Sequence, residues 1–282
     1  RTQEEKKEKI LMKVHFAGSP SEDIRMSKSL KMAGVRYVLG SFYQIKNYKG
    51  ERAKKFINVF NSYKHSIIDS GLFTLMFGSK KDIILTEQFI MNWQKDYSLF
   101  VLDNKYKHTV VECDVQKKIS SKFAWEMRRL FKSQLPNNQI INVYHLEDGN
   151  PDKLIDYSDY IAVSIPELRF NVSRKELMQI TRYISSKASS RGKKVHLLGC
   201  TDLKMMKEFQ YCYSCDSTSW FSGSRFNSFR SKVFPKYKKI DINIFKANKI
   251  KDFQNDSITK NVFYWEAYLK LQDYKKYAGS QL

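Results

Sequence analysis

Two acidic residues, Asp69 and Asp216, each stand where a short apolar run gives way to Gly- and Ser-containing sequence. The runs read His65-Ser66-Ile67-Ile68-Asp69-Ser70-Gly71-Leu72-Phe73 and Tyr211-Cys212-Tyr213-Ser214-Cys215-Asp216-Ser217-Thr218-Ser219-Trp220. A carboxylate at the C-terminal edge of a strand can face a pocket while its apolar neighbours stay in the core. Two such carboxylates on one sheet edge supply a nucleophile and a proton carrier. Beside Asp216, the hydroxyls of Ser217, Thr218 and Ser219 are placed to tune its basicity, and Arg225 follows as a cation suited to a phosphate. Asp69 either serves this chemistry or caps the turn that Gly71 permits, where a glycine also lets a flat ligand approach the backbone. Asp114, in Val110-Val111-Glu112-Cys113-Asp114, either accepts hydrogen bonds from a purine edge or pairs with a basic neighbour. Alternation turns Glu112 to the other, helix-facing side of the strand.

These residues need elements that carry them to one place. Strand-like runs fall at 13–17, 35–41, 65–69, 109–114, 140–144, 160–163, 194–198 and 213–216. Helix-compatible stretches lie between them at 21–32, 51–63, 86–99, 118–134, 151–157, 173–190 and 202–209. Asn150-Pro151 reads as a helix start, and Ser173 with Glu176 as a capping box. Strictly alternating strands and helices over this length predict an α/β fold, a (β/α)8 barrel; a doubly wound open sheet has the same periodicity and is the alternative. In a barrel, the residues at the strand ends are Gly18, Ser41, Asp69, Asp114, His145, Ser164, Gly199 and Asp216. This is the edge where such barrels carry their active sites. The concentration of Asp, His, Ser and Gly there points to one site, although turns favour Gly, Ser and Asp too.

The chain divides into a charged N-terminal segment (1–12), the barrel (13–230) and a basic, aromatic-rich C-terminal helical extension (231–282). From 225 onward, 13 Lys and Arg stand against 5 Asp and Glu. The aromatics Phe263, Tyr264, Trp265, Tyr268, Tyr274 and Tyr277 form either a helix packed on the barrel or a stacking surface for nucleic acid. The whole chain carries a net charge of +21, which points to a polyanionic partner, nucleic acid ahead of an anionic membrane. A lysine-rich surface from compositional bias is the plainer explanation. No apolar run is long enough to span a bilayer, and residues 1–9 lack the apolar core of a secretion signal. Four cysteines are few for 282 residues, so a reducing, cytoplasmic setting in a bacterial or phage-infected cell is expected. Cys212 and Cys215 form a Cys-x-x-Cys pair with no paired His downstream, so no metal site is expected. Gly-rich phosphate loops and a Gly-x-Ser-x-Gly elbow are absent from the sequence.

Asp69-Ser70-Gly71-Leu72-Phe73 resembles the Asp-Ser-Gly-Gly-Phe stretch of the tRNA-guanine transglycosylases, which are (β/α)8 barrels. Other segments resemble that family in the same order. Glu112-Cys113-Asp114 is similar to its base-recognising Asp segment, Ile161-Ala162-Val163-Ser164 to its Leu-Ala-Val-Gly, and His196-Leu197-Leu198-Gly199 to its Tyr-Leu-Met-Gly. Asp216 falls where the family keeps its nucleophile. The resemblance spans about residues 13–230. The chain departs from the pattern at Leu72, where the family has a second Gly, and at His145, near a position that often carries Gln. The family's Cys-x-Cys-x-x-Cys…His zinc subdomain is missing. The run from Asp216 to Phe226 is more similar to the DNA-modifying branch found in phages and genomic islands.

The resemblance implies a base exchange in DNA, guanine for a 7-deazaguanine such as preQ0, with Asp216 as nucleophile and Asp69 moving protons. It implies Ser70, Gly71, Phe73, Asp114, Ser164 and Gly199 around the base, with His145 as a further contact. Ser219 and Arg225 become nucleic-acid contacts. Such chemistry requires no metal or redox cofactor, and an accessory DNA-opening protein is a further expected partner. Exchange in tRNA, and a non-catalytic nucleic-acid-binding barrel, are the alternatives.

Overall fold

The computed structural model describes residues 12–18, 22–77, 84–200, 202–221 and 258–278. Eight parallel strands close into a barrel in chain order. They are β1 (Lys13–Ala17), β2 (Tyr37–Ser41), β3 (His65–Asp69), β4 (Thr109–Val111), β5 (Gln139–Tyr144), β6 (Tyr160–Ser164), β7 (Lys194–Leu198) and β8 (Ser214–Ser217). Pairing of β1 with β8 closes the ring, with His15 level with Asp216, and excludes the open sheet. Intervening helices are α1 (Ile24–Met32), α2 (Phe42–Ile45), α3 (Gly50–Asn61), α4 (Leu72–Phe77), α5 (Glu87–Asp103), α6 (Ser121–Gln134), α7 (Asp152–Tyr157), α8 (Ile165–Asn171), α9 (Arg174–Ser190) and α10 (Leu203–Glu208).

Local chemistry explains where these elements begin. Thr86 and Ser120 accept the N–H of Phe89 and Phe123 as helix caps. Ser173 and Glu176 make the expected capping box at the start of α9. Asn150 accepts the N–H of Asp152 at the start of α7 (2.9 Å). Alternation then sorts each strand. Val14, Phe16, Val38, Ile68, Val110, Ile161, Val163, Val195 and Leu197 face the helices and form the main core. Ala17, Leu39, Ile67, Val111, Ile141, Val143 and Ala162 fill the barrel itself. Glu112 points outward, as alternation predicts, and both its oxygens meet the buried Arg128 of α6 at 2.7–3.0 Å. All four cysteines are buried and free.

Two features differ from the sequence expectation, and a third realises one of its two readings. β4 stops at Val111, although the Glu112 N–H still reaches the Ile141 carbonyl (3.0 Å), so Asp114 stands beyond the strand rather than at its end. The short helices α2, α4 and α8 follow directly on β2, β3 and β6, and four to seven residues are too few to show a helical period. The C-terminal helix α11 (Ile258–Ala278) packs on α1, on α10 and on the 3-10 turn Ser219–Phe221. Trp265, Ala267, Leu271 and Tyr274 are buried there, and Tyr274 meets Phe16 of β1 edge-on. These aromatics therefore pack on the barrel wall, while Tyr268 remains 37% exposed. The side chains of Phe263 and Tyr277 lie outside the described residues. No described helix is long and apolar enough to cross a membrane.

Candidate active site

Asp69 is the last residue of β3, and its Oδ2 accepts the Gly71 N–H at 2.9 Å. The carboxyl thus does cap its turn. Burial lifts its pKa to about 7, with repulsion from Asp114 and then Asp216 adding to the shift. Asp114 and Asp216 thus lie close enough to Asp69, at one end of the barrel, to repel its charge. Asp216, in β8, is buried, and its Oδ1 receives two donors: the Gly199 N–H at 2.6 Å and His196 Nε2 at 3.2 Å. The Ser-Thr-Ser run does not tune it as expected. Ser217 Oγ instead lies 2.8 Å from Ser219 Oγ and accepts the Ser219 N–H at 3.1 Å.

Asp114 is buried, and its Oδ2 lies 3.1 Å from His145 Nε2. The other ring nitrogen, Nδ1, faces the buried carboxylate of Glu167 on α8. Burial opposes charge on this ring, but the hydrogen bonds to Asp114 and Glu167 outweigh it and lift the His145 pKa to about 10. At neutral pH an imidazolium therefore sits between two carboxylates, and pairing with a basic neighbour, one of the two readings for Asp114, is realised. His145, Glu147 and Glu167 also place one ligand atom each within 4.8 Å of one another, the single such group among the described residues. Sequence alone did not bring Glu147 and Glu167 to His145.

The remaining expected contacts sort by what they touch. Gly71 has φ +75°, and a Cβ there would lie 2.8 Å from the Tyr43 N and against Ser41, so the close approach it allows is by its own chain. Ser70 is fully buried, with its carbonyl accepting the Trp93 indole N–H at 3.0 Å, whereas Phe73 is 42% exposed. Ser164 ends β6, buried. Gly199 has φ +63° and directs its N–H to Asp216. Ser219 Oγ lies 3.3 Å from the Tyr274 hydroxyl of α11. Arg225 falls outside the described residues.

Sequence reasoning missed the inward histidines. His15, His65 and His196 lie inside the barrel on β1, β3 and β7; His15 Nε2 is 2.9 Å from His65 Nδ1, and the His15 and His196 ring centroids are 6.0 Å apart. His65 Nε2 continues to Thr109 Oγ1 at 2.8 Å. The signal was present, because His65 and Ser214 stand at even spacing from Asp69 and Asp216 and so share their face. Glu22 was missed too. It is buried, accepts the Ser41 N–H at 2.8 Å, and burial lifts its pKa to about 7. No family model matches this chain, and no curated protein matches it either.

Proposed function

We propose that this chain exchanges a purine base on a nucleic acid, replacing guanine in DNA by a preformed 7-deazaguanine such as preQ0. The reading rests on the resemblance of its strand-end motifs to the tRNA-guanine transglycosylases and on one observation. Asp69, with its pKa lifted to about 7, feels both Asp114 and Asp216, so a carboxyl poised to give and take protons sits near a second carboxylate. In the first half-reaction an Asp216 oxygen attacks C1′, the C1′–N9 bond breaks, and protonated Asp69 gives its proton to the departing guanine. In the second, Asp69 removes the N9 proton of the incoming base. That nitrogen attacks C1′, the ester C–O bond breaks, and the Asp216 carboxylate is regenerated.

The acid-rich barrel mouth suits the ring N–H and exocyclic amine of a guanine-type edge, all of them donors. The net charge of +21 suits the polyanion that carries the base, whose target nucleotide must leave its stack. Labelled preQ0 incubated with duplex DNA or with tRNA tests the reading. Label entering DNA alone supports it; label entering tRNA alone moves the substrate to tRNA. Binding without label in either leaves a non-catalytic barrel and overturns the proposal.

A further inference from the structure

We propose that His196, backed by Ser214 and Tyr160, is a positioning residue that fixes Asp216 through its Oδ1 and leaves Oδ2 as the oxygen that bonds to the sugar. This rests on Asp216 being the nucleophile. Both donors to Asp216, the Gly199 N–H and His196 Nε2, converge on Oδ1, and Oδ2 has no hydrogen-bond partner among the described residues. His196 is fully buried on β7. Its Nδ1 lies 2.5 Å from Ser214 Oγ, which in turn contacts the Tyr160 hydroxyl of β6.

The direction of these bonds follows from the donor inventory. A carboxylate only accepts, so Nε2 carries a proton toward Asp216. The proposed line takes the Tyr160 hydroxyl, a neutral phenol, as the donor to Ser214 Oγ. Ser214 Oγ–H is then free to donate to Nδ1, which accepts on a neutral ring. Tyr160, Ser214 and His196 form one line of donors ending on Oδ1, with every member buried.

That line acts differently on the two half-reactions. While Asp216 is a free carboxylate, the charge on Oδ1 is held by two donors. When Oδ2 bonds C1′, Oδ1 becomes an ester carbonyl oxygen and loses most of that charge. The same donors then stabilise the carboxylate as it leaves, so they favour breakdown of the glycosyl ester. Removing the donor should therefore make the covalent adduct accumulate, whereas mere damage to the fold would make it vanish.

The test uses the full chain with DNA, with denaturing gels to measure adduct in the absence of an incoming base. His196→Phe is expected to raise the adduct fraction relative to its rate of formation, with ester breakdown slowed on the order of tenfold, the worth of one charge-assisted hydrogen bond. His196→Gln, which keeps a donor, should restore most of the breakdown rate. Nitrogen NMR of the wild-type protein should show His196 as the neutral Nε2–H form, and Ser214→Ala should change its Nδ1 signal. If wild type forms adduct but His196→Phe speeds or leaves unchanged its breakdown, the proposal is overturned while the nucleophile stands. A wild type without adduct overturns the exchange reading itself, and an Nδ1–H tautomer or imidazolium overturns the donor line independently of any activity.

Discussion

Replacing Asp69 by Asn should stabilise the protein above neutral pH while removing the proton transfer proposed for it. The carboxyl has an ordinary pKa of 3.8 and is lifted to about 7 in the folded chain by burial and by Asp114 and Asp216. Below about pH 4 the group is protonated in both states and costs nothing. Between about pH 4 and pH 7 the unfolded chain releases its proton and the folded chain retains it, so stability is lost as pH rises, fully so above about pH 7. About three pKa units at 1.36 kcal/mol each set a ceiling of roughly 4 kcal/mol. Asp69 is only partly buried at the barrel mouth, so solvent screening brings the expected penalty down to about 1–2 kcal/mol. Asn is isosteric, can still accept the Gly71 N–H, and carries no charge at any pH. Urea midpoints of wild type and Asp69→Asn should nearly coincide at about pH 4 and separate in the variant's favour by about pH 8. A gap that stays constant with pH, or a variant less stable at the alkaline end, would refute the account of how Asp69 is raised.

Other expectations follow from the same geometry. Arg128→Met should cost about 3–5 kcal/mol in urea, because it strands the buried Glu112; adding Glu112→Leu should recover a large part of it. Gly199→Ala should lose about 1–3 kcal/mol of stability. It forces a side chain into φ +63°, 2.7 Å from Pro166 Cγ, and turnover should fall further as the N–H shifts from Asp216. His65 has its pKa lowered to about 3 by burial, His108 and the nearby lysines, so its contribution is intact above its unfolded value of 6.5 and declines as pH falls toward 3. His65→Gln should lose about 1–2 kcal/mol less than wild type between about pH 7 and pH 5, read as a difference because Asp69 and Glu22 titrate in the opposite sense.

Much of this architecture was legible because it rests on patterns of period two and 3.6. The runs at 13–17, 65–69 and 194–198 coincide with β1, β3 and β7, and Ser173 with Glu176 caps α9 as its spacing requires. Asp69 and Asp216 were legible as strand-end acids because a charge after an apolar run marks an edge. The partners of Asp216 were not. Nearby Ser217 and Ser219 were the natural candidates, but Ser217 Oγ lies against Ser219, and the donors are His196 on the neighbouring strand β7 and Gly199 just past its end. Glu167 was hidden for a similar reason, since α8 is too short to declare itself and only the closed ring sets it against His145. Contacts between strands far apart in sequence leave no trace in any local window.

The seam between β1 and β8 joins residues about two hundred positions apart, and α11 lies over it against Phe16. Such a joint should form late, because the chain must bring both ends together before any ladder bond there can reward the closure. A growing chain still short of residue 258 would hold α1 and α10 without the helix that covers them. Expression boundaries drawn at the end of the strands would thus remove a wall of the molecule, and should yield aggregating protein instead of a trimmed barrel.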